Sequence, residues 1–292
     1  MPSLRDIRRR IRSVKSTAQI TRAMQMVAAA KMRKAQQAAL AGRPYAAAMN
    51  RMLAELLPTV TDFTHPLMEN RPLRRRCVLL VSTDRGLCGA LNSTLFREAM
   101  KYDPQQTVFV AAGRKAAQFL TRARRTLLAE FSYRDTPQFA EARAISRFLQ
   151  EGFLNGDFDS VEVVFMNFIS TLVQQPETFF LLPLREIRAV SADHHGEVIA
   201  GELLKGATEF LFEPGPERVL GALLPHYLNF RVFQVLLEAK ASEHSARMVA
   251  MKNATENANQ LVKDLTLQYN KLRQAGITKE LLEIATAQMA LS

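Results

Sequence analysis

Apolar positions along the chain follow two different periods. From the N-terminus, Leu4, Ile7, Ile11, Val14, Ala18, Thr21, Gln25, Ala28, Met32, Ala35, Ala39, Gly42, Ala46, Met49, Leu53 and Leu56 alternate at spacings of three and four. Only Thr21, Gln25 and Gly42 are poor core residues. A strict seven-residue repeat predicts a helix that supercoils left-handed with a partner, and its many alanines let that partner approach closely. Ser3 is placed to cap the helix start, and Pro58 marks the expected stop. Pro44 interrupts the run, either kinking it or opening a second helix.

The same alternation returns near the C-terminus in Ala241, His244, Met248, Met251, Thr255, Ala258, Val262, Leu265, Tyr269 and Leu272. Between Glu243 and Leu291 there is no proline, and Gly276 is the only glycine. At roughly 1.5 Å of rise per residue, such a helix outruns an ordinary globular domain. Pro225 either kinks this last helix or opens it. The two seams are the natural partners of each other, so the ends of the chain are expected to pair antiparallel with the middle inserted between them.

After a polar linker, Arg71 to Arg76, the period changes. The stretch from Cys77 to Asp84 begins as a continuous apolar run, as a strand covered on both faces requires. Short runs recur at Thr107–Ala111, Thr126–Phe131, Val161–Phe168 and Thr178–Leu184, with helical stretches at Ala90–Lys101, Arg114–Arg122 and Gln138–Glu151. Alternating strands and helices predict a mainly parallel, doubly covered sheet. The last two strands have only a short connection, which points to an antiparallel pair. Residues 189–208 are polar and predict a loop or short helix, and Glu209 to Glu213 predicts a brief strand. The fold class expected is therefore α/β with long helices: an antiparallel coiled coil of the terminal helices plus an inserted, mainly parallel, Rossmann-like domain. The expected divisions are 1–58 for the N-terminal helix, 75–208 for the α/β domain, and 209–292 for the short strand and long last helix.

Composition narrows the classes. A 48% hydrophobic content and 17 phenylalanines in 292 residues exclude wholesale disorder. No apolar run approaches the roughly 20 residues a bilayer span needs. Arginines within the first twelve residues break any signal-peptide core, so a soluble, cytoplasmic-type chain is expected. The net charge of +11 is concentrated at the start, where residues 1–50 hold eleven Lys or Arg against one acid, Asp6, a net +10. Charge alone does not choose among nucleic acid, anionic lipid and an acidic protein surface. A basic coiled-coil adaptor for nucleic acid or an acidic protein is the alternative reading, but residues 1–44 contain no aromatic to interleave with the cations. Arg8, Arg9 and Arg10 fit a solvated face as well as an interaction.

Candidate chemistry is sparse. Asp84-Arg85-Gly86-Leu87-Cys88-Gly89 follows a strand but lacks both glycine-rich phosphate-binding spacings, so it predicts a tight strand-to-helix turn. Cys77 and Cys88 each sit near a strand and are simplest as small apolar residues in a reducing compartment. Cys88 has no nearby histidine to activate it, and the adjacent His194 and His195 are poorly placed to share one ion. His244, on the seam, reads as a tolerated polar position, and Met24, Met26 and Met32 fit seam packing or an adaptable surface. No catalytic residue, cofactor or metal site is expected.

Three blocks carry a resemblance over essentially the whole chain: MPSLRDIRRRIRSVKSTAQITRAMQMVAAAKMRKAQ, STDRGLCGALN, and ARMVAMKNAT with YNKLRQAGITKELLEI. In this order they resemble the gamma subunit of F-type ATP synthases. The resemblance implies a non-catalytic central rotary stalk coupling ion-driven rotation of the c ring to ATP synthesis or hydrolysis on the beta subunits. The implied partners are the alpha and beta subunits of the head, the epsilon subunit and the c-subunit ring, with no nucleic acid, and with the membrane reached only through the c ring. The implied place is the cytoplasmic face of the bacterial inner membrane. Arg22, Met24 and Gln25 resemble the coupling region of the first helix; Arg85, Gly86 and Cys88 resemble the turn facing an acidic lever of the beta subunit. Phe212 and Glu213 resemble the foot that meets the c ring and epsilon, and Arg273, Gln274 and Thr278 resemble the catch on the beta subunits. The C-terminal tip from Ile277 would stand alone in the bearing of the head. No cysteine-bearing insert follows the third or fourth sheet element, so the thiol switch of chloroplast-type gamma subunits is not expected.

Overall fold

A computed structural model describes residues 3–56, 65–184, 213 and 215–291. The elements are α1 (Leu4–Leu56), a 3-10 turn (Pro66–Met68), β1 (Arg76–Val81), α2 (Leu91–Ala99), β2 (Thr107–Ala112), α3 (Arg114–Arg122), β3 (Thr126–Phe131), α4 (Phe139–Leu154), β4 (Ser160–Phe168), β5 (Gln174–Leu182) and α5 (Pro216–Leu291). They form two compact units, Met1–Ala28 with Arg247–Ser292, and Ala29–Ala246. The boundaries therefore fall inside the long helices. Pro58, His194, His195, Phe212 and the strand expected at 209–213 (save Glu213) lie outside the described residues.

In the larger unit a five-stranded sheet has the order β3-β2-β1-β4-β5. β1 pairs parallel with β2 and β4, β2 parallel with β3, and β4 antiparallel with β5. Side chains alternate across the pleat, and the central strands are buried on both faces. Cys77, Leu79 and Val81 join one core with α4, the C-terminal part of α1 and the first turns of α5. Val78 and Leu80 join the other, with α2 and α3.

Two expectations shift at the sheet edges. β3 is an edge strand with alternating half-burial rather than a covered run. β5 begins at Gln174, four residues before the apolar stretch, because Gln174 pairs with Phe168 across the hairpin. Its polar start and Pro176 are tolerated on an edge, where the free side of the strand needs no ladder bond. The pairing decides the bounds there, and hydrophobicity does not.

Two glycines are needed by close approach. A Cβ on Gly152, inside α4, would meet the Phe158 ring at 2.5 Å, and one on Gly113, at φ 102°, would meet the Ser82 carbonyl oxygen at 2.3 Å.

Both prolines suspected of breaking a helix lie inside continuous ones. α1 runs through Pro44 and α5 through Pro225. The flanking residues are held by packing: the Tyr45 ring lies 5.0 Å from that of Phe230 and 6.1 Å from that of His226. Leu224, Tyr227 and Leu228 are buried beside Pro225. Tertiary packing of this kind outweighs the roughly 3 kcal/mol penalty of an internal proline. Within this unit, Lys31 and Lys240 meet on Asp135 while Tyr45 meets His226. The partner on α5 thus moves backward as α1 advances, so the helices run antiparallel.

Candidate functional site

In the smaller unit, α1 starts on the expected cap: the Asp6 amide donates to Ser3 Oγ, and Ser3 Oγ donates to the Asp6 carboxylate. That hydroxyl hydrogen bond is the main cause holding the Asp6 carboxyl below its ordinary range. The heptad positions then turn inward. Ile7, Ala18, Thr21 and Ala28 are buried on α1, and Met251, Ala258 and Leu265 on α5. Leu4 is the exception at the exposed start.

Thr21, a poor core residue by type, finds a polar partner at the seam. Its Oγ1 lies 2.7 Å from Thr255 Oγ1, and Thr255 donates back to the Met251 carbonyl at 2.8 Å. A buried hydroxyl with a partner is tolerated, and the net bond contributes about 1 kcal/mol. Thr21→Val, which keeps the shape and removes the bond, is expected to lower the unfolding free energy of the full chain by about 1 kcal/mol in a urea titration.

Of the first group of predicted contact residues, Arg22 projects into solvent, while Met24 and Gln25 are half-buried at the seam margin. The structure adds residues that the heptad reading passed over. Ile20 and Val27 are exposed on α1, and with half-buried Met24 they form an apolar stripe at i, i+4 and i+7 along the margin of the seam. The signal was present as apolar residues that break the three-four alternation.

Past the seam, α5 continues as an exposed helix. Ile277, Leu281, Leu282 and Ile284 are 50%, 62%, 60% and 64% exposed. Arg273, Gln274 and Thr278 are also exposed, and Thr278 Oγ1 donates to the Gln274 carbonyl at 3.0 Å. Ordinary soluble helices bury such a run of Ile and Leu.

In the larger unit, the β1–α2 turn is held from behind by a small polar network. Asn92 Nδ2 donates to Thr83 Oγ1 at 2.8 Å, Thr83 Oγ1 donates to the Arg85 carbonyl at 2.8 Å, and the Arg114 amide donates to Asp84 Oδ1 at 3.0 Å. Arg85 and Gly86 are exposed as expected. Cys88 is not. It is buried against α2 and accepts a weak bond from Asn92 Nδ2 at 3.4 Å. It shapes the turn from inside, and the exposed apolar residue there is Leu87, which takes the left-handed backbone at φ 64°. Cys77 is likewise inside, where burial pushes its thiol up to about 12. Glu213 is exposed. Among the described residues no helix is long and apolar enough to cross a membrane.

A family model described as ATP synthase matches residues 3–291. The chain is 52% identical to the ATP synthase gamma chain of Opitutus terrae, covering 99% of both chains. It is 44% identical to that of Methylacidiphilum infernorum, covering 100% of both. Among solved structures it is similar to a chain of the Euglena gracilis mitochondrial ATP synthase OSCP/F1/c-ring assembly, with a TM-score of 0.67 at 20% identity over 99% of this chain and 94% of that one. The family match and these identities run along essentially the full length, and the chain belongs to the gamma-chain family of ATP synthases.

Proposed function

We propose that this chain is the central rotary stalk subunit of an F-type ATP synthase. It is non-catalytic: ATP is made or hydrolysed on the beta subunits, and this chain carries the torque between them and the c ring. The observation that carries the reading is the α5 tip, where Ile277, Leu281, Leu282 and Ile284 stand exposed within eight residues of one helix. An apolar helix end suits a bearing in the alpha and beta head, where it must turn without lasting polar bonds. Arg22, Arg85 and the basic start of α1 suit acidic levers on the beta subunits. Exposed ion pairs contribute only about 0–1 kcal/mol each, so they form and release at each step. Glu213 and Phe212 form the foot toward the epsilon subunit and the c ring, at the cytoplasmic face of the bacterial inner membrane.

Affinity purification of the tagged full chain from its native membrane is expected to bring alpha, beta, epsilon and c subunits with it. Recovery of the chain without them would sink the reading. Deleting Gln288 to Ser292 removes only the end of the tip, and is expected to lower ATP synthesis in membrane vesicles by about twofold without abolishing it. Complete loss would show that the last residues carry the coupling themselves.

A further inference from the structure

Ligands in doubly wound sheets settle in the crevice where connections from neighbouring strands leave for opposite faces. With the order β3-β2-β1-β4-β5, that crevice lies beyond the C-terminal ends of β1 and β4. This chain fills it with its own α5. Ser245 Oγ donates to the Thr171 carbonyl in the turn after β4 at 2.7 Å. The Tyr133 hydroxyl donates to the Ser82 carbonyl just past β1 at 2.9 Å, and Lys240 Nζ lies 4.5 Å from the centre of the Tyr133 ring.

The plug is charged. Lys240 and Glu243 form an ion pair at 2.9 Å with side chains only 1% and 3% exposed. Asp135, in the segment after β3, stands 3.8 Å from Lys240 and also pairs with Lys31 of α1. Lys31, first through its hydrogen bond, and then Lys240 and His244 hold the Asp135 carboxyl below its ordinary range. A buried ionic network is a poor source of net stability, because desolvation offsets the attraction. Its best-attested use is to fix register. Here one carboxylate on the sheet domain holds one cation from each long helix.

We propose that Asp135 is a positioning residue, the centre of an ionic lock that fixes the register of α1 and α5 on the sheet domain. The consequence drawn rests on the rotor reading: torque entering the sheet domain passes into both helices through a joint that does not slip.

The test uses the assembled ATP synthase in membrane vesicles and reads ions pumped per ATP hydrolysed. Asp135→Asn is expected to lower this ratio about threefold or more with hydrolysis changed by less than about twofold, and Asp135→Glu to restore most of it. Lys31→Met, at the exposed end of the lock, removes the same bridge and keeps the test alive should the Asn variant fold poorly. The double variant is expected to be no worse than Asp135→Asn alone, whereas independent structural losses would add. In the purified full chain, amide exchange across Lys240–Ser245 is expected to rise in either variant while β1 stays protected. An unchanged pumping ratio, additive losses or unchanged exchange would overturn the lock. Failure of the unaltered chain to assemble with other subunits would overturn the rotor reading, and the exchange measurement would still decide the lock.

Discussion

Gly113→Ala is expected to destabilise the full chain by about 4 kcal/mol or more, a large share of the 5–15 kcal/mol that holds a typical domain together. The residue sits at φ 102°, where L side chains are strained, and its Cβ would lie 2.3 Å from the Ser82 carbonyl oxygen. That carbonyl cannot retreat cheaply. It accepts the Tyr133 hydroxyl at 2.9 Å, while the Ser82 amide donates to the Ala112 carbonyl at 2.8 Å and Ser82 Oγ accepts the Ala116 amide at 2.7 Å. Moving Ser82 would therefore loosen the ends of β1 and β2, the start of α3 and the segment after β3 together. Denaturant unfolding of the variant measures the loss, and a cost below about 1 kcal/mol would contradict the packing described. Gly86→Ala is the control, because a Cβ there meets nothing within 4 Å. Its expected change is within about 0.5 kcal/mol.

Replacing Arg273 and Gln274 together with alanine is expected to lower ATP synthesis by about tenfold or more while leaving the chain folded and assembled. Both side chains are exposed in this chain, so their loss should change its own stability by no more than about 0.5 kcal/mol. A guanidinium offers five donors in a fixed fork and a carboxamide adds two more. Hydrogen bonds to charged acceptors contribute about 1.5–3 kcal/mol each, and about 1.4 kcal/mol is a factor of ten in rate. If these residues catch the beta subunits during rotation, the loss appears in turnover and not in the amount of complex recovered. Wild-type synthesis in the double variant would refute the catch. Loss of assembly together with activity would assign the pair a binding role instead.

The elements were legible where periodicity is local and strong. Both seams and their inward positions, the Ser3 cap, α3, β3 and the antiparallel turn into β5 could be read from the spacing of residue types. The exposure of the candidate contact residues on simple helical surfaces was legible in the same way: once the seam is known, Arg22, Arg273 and Gln274 must face outward. Cys88 shows the limit. Its side-chain direction depends on a left-handed backbone at Leu87 and on Asn92, the second residue of α2, and neither follows from composition. The early start of β5 shows another, since Gln174, Gln175, Pro176 and Glu177 become strand only because β4 supplies a pairing edge.

The sequence by itself determined the two long helices, their apolar seams and the alternating order of the sheet domain, because a heptad repeat or a short continuous apolar run declares itself within one stretch of chain. Only the tertiary structure decided that both helices pass through their prolines, that β3 and β5 lie at the sheet edges, and that Lys240, Glu243 and Asp135 meet in the crevice above β1 and β4. Those outcomes depend on which distant residues arrive at the same place, and the energy of such meetings is not encoded in any local pattern. A lysine on a heptad-like helix reads as solvated. Lys240 is instead buried at 1% exposure between two carboxylates, Asp135 and Glu243.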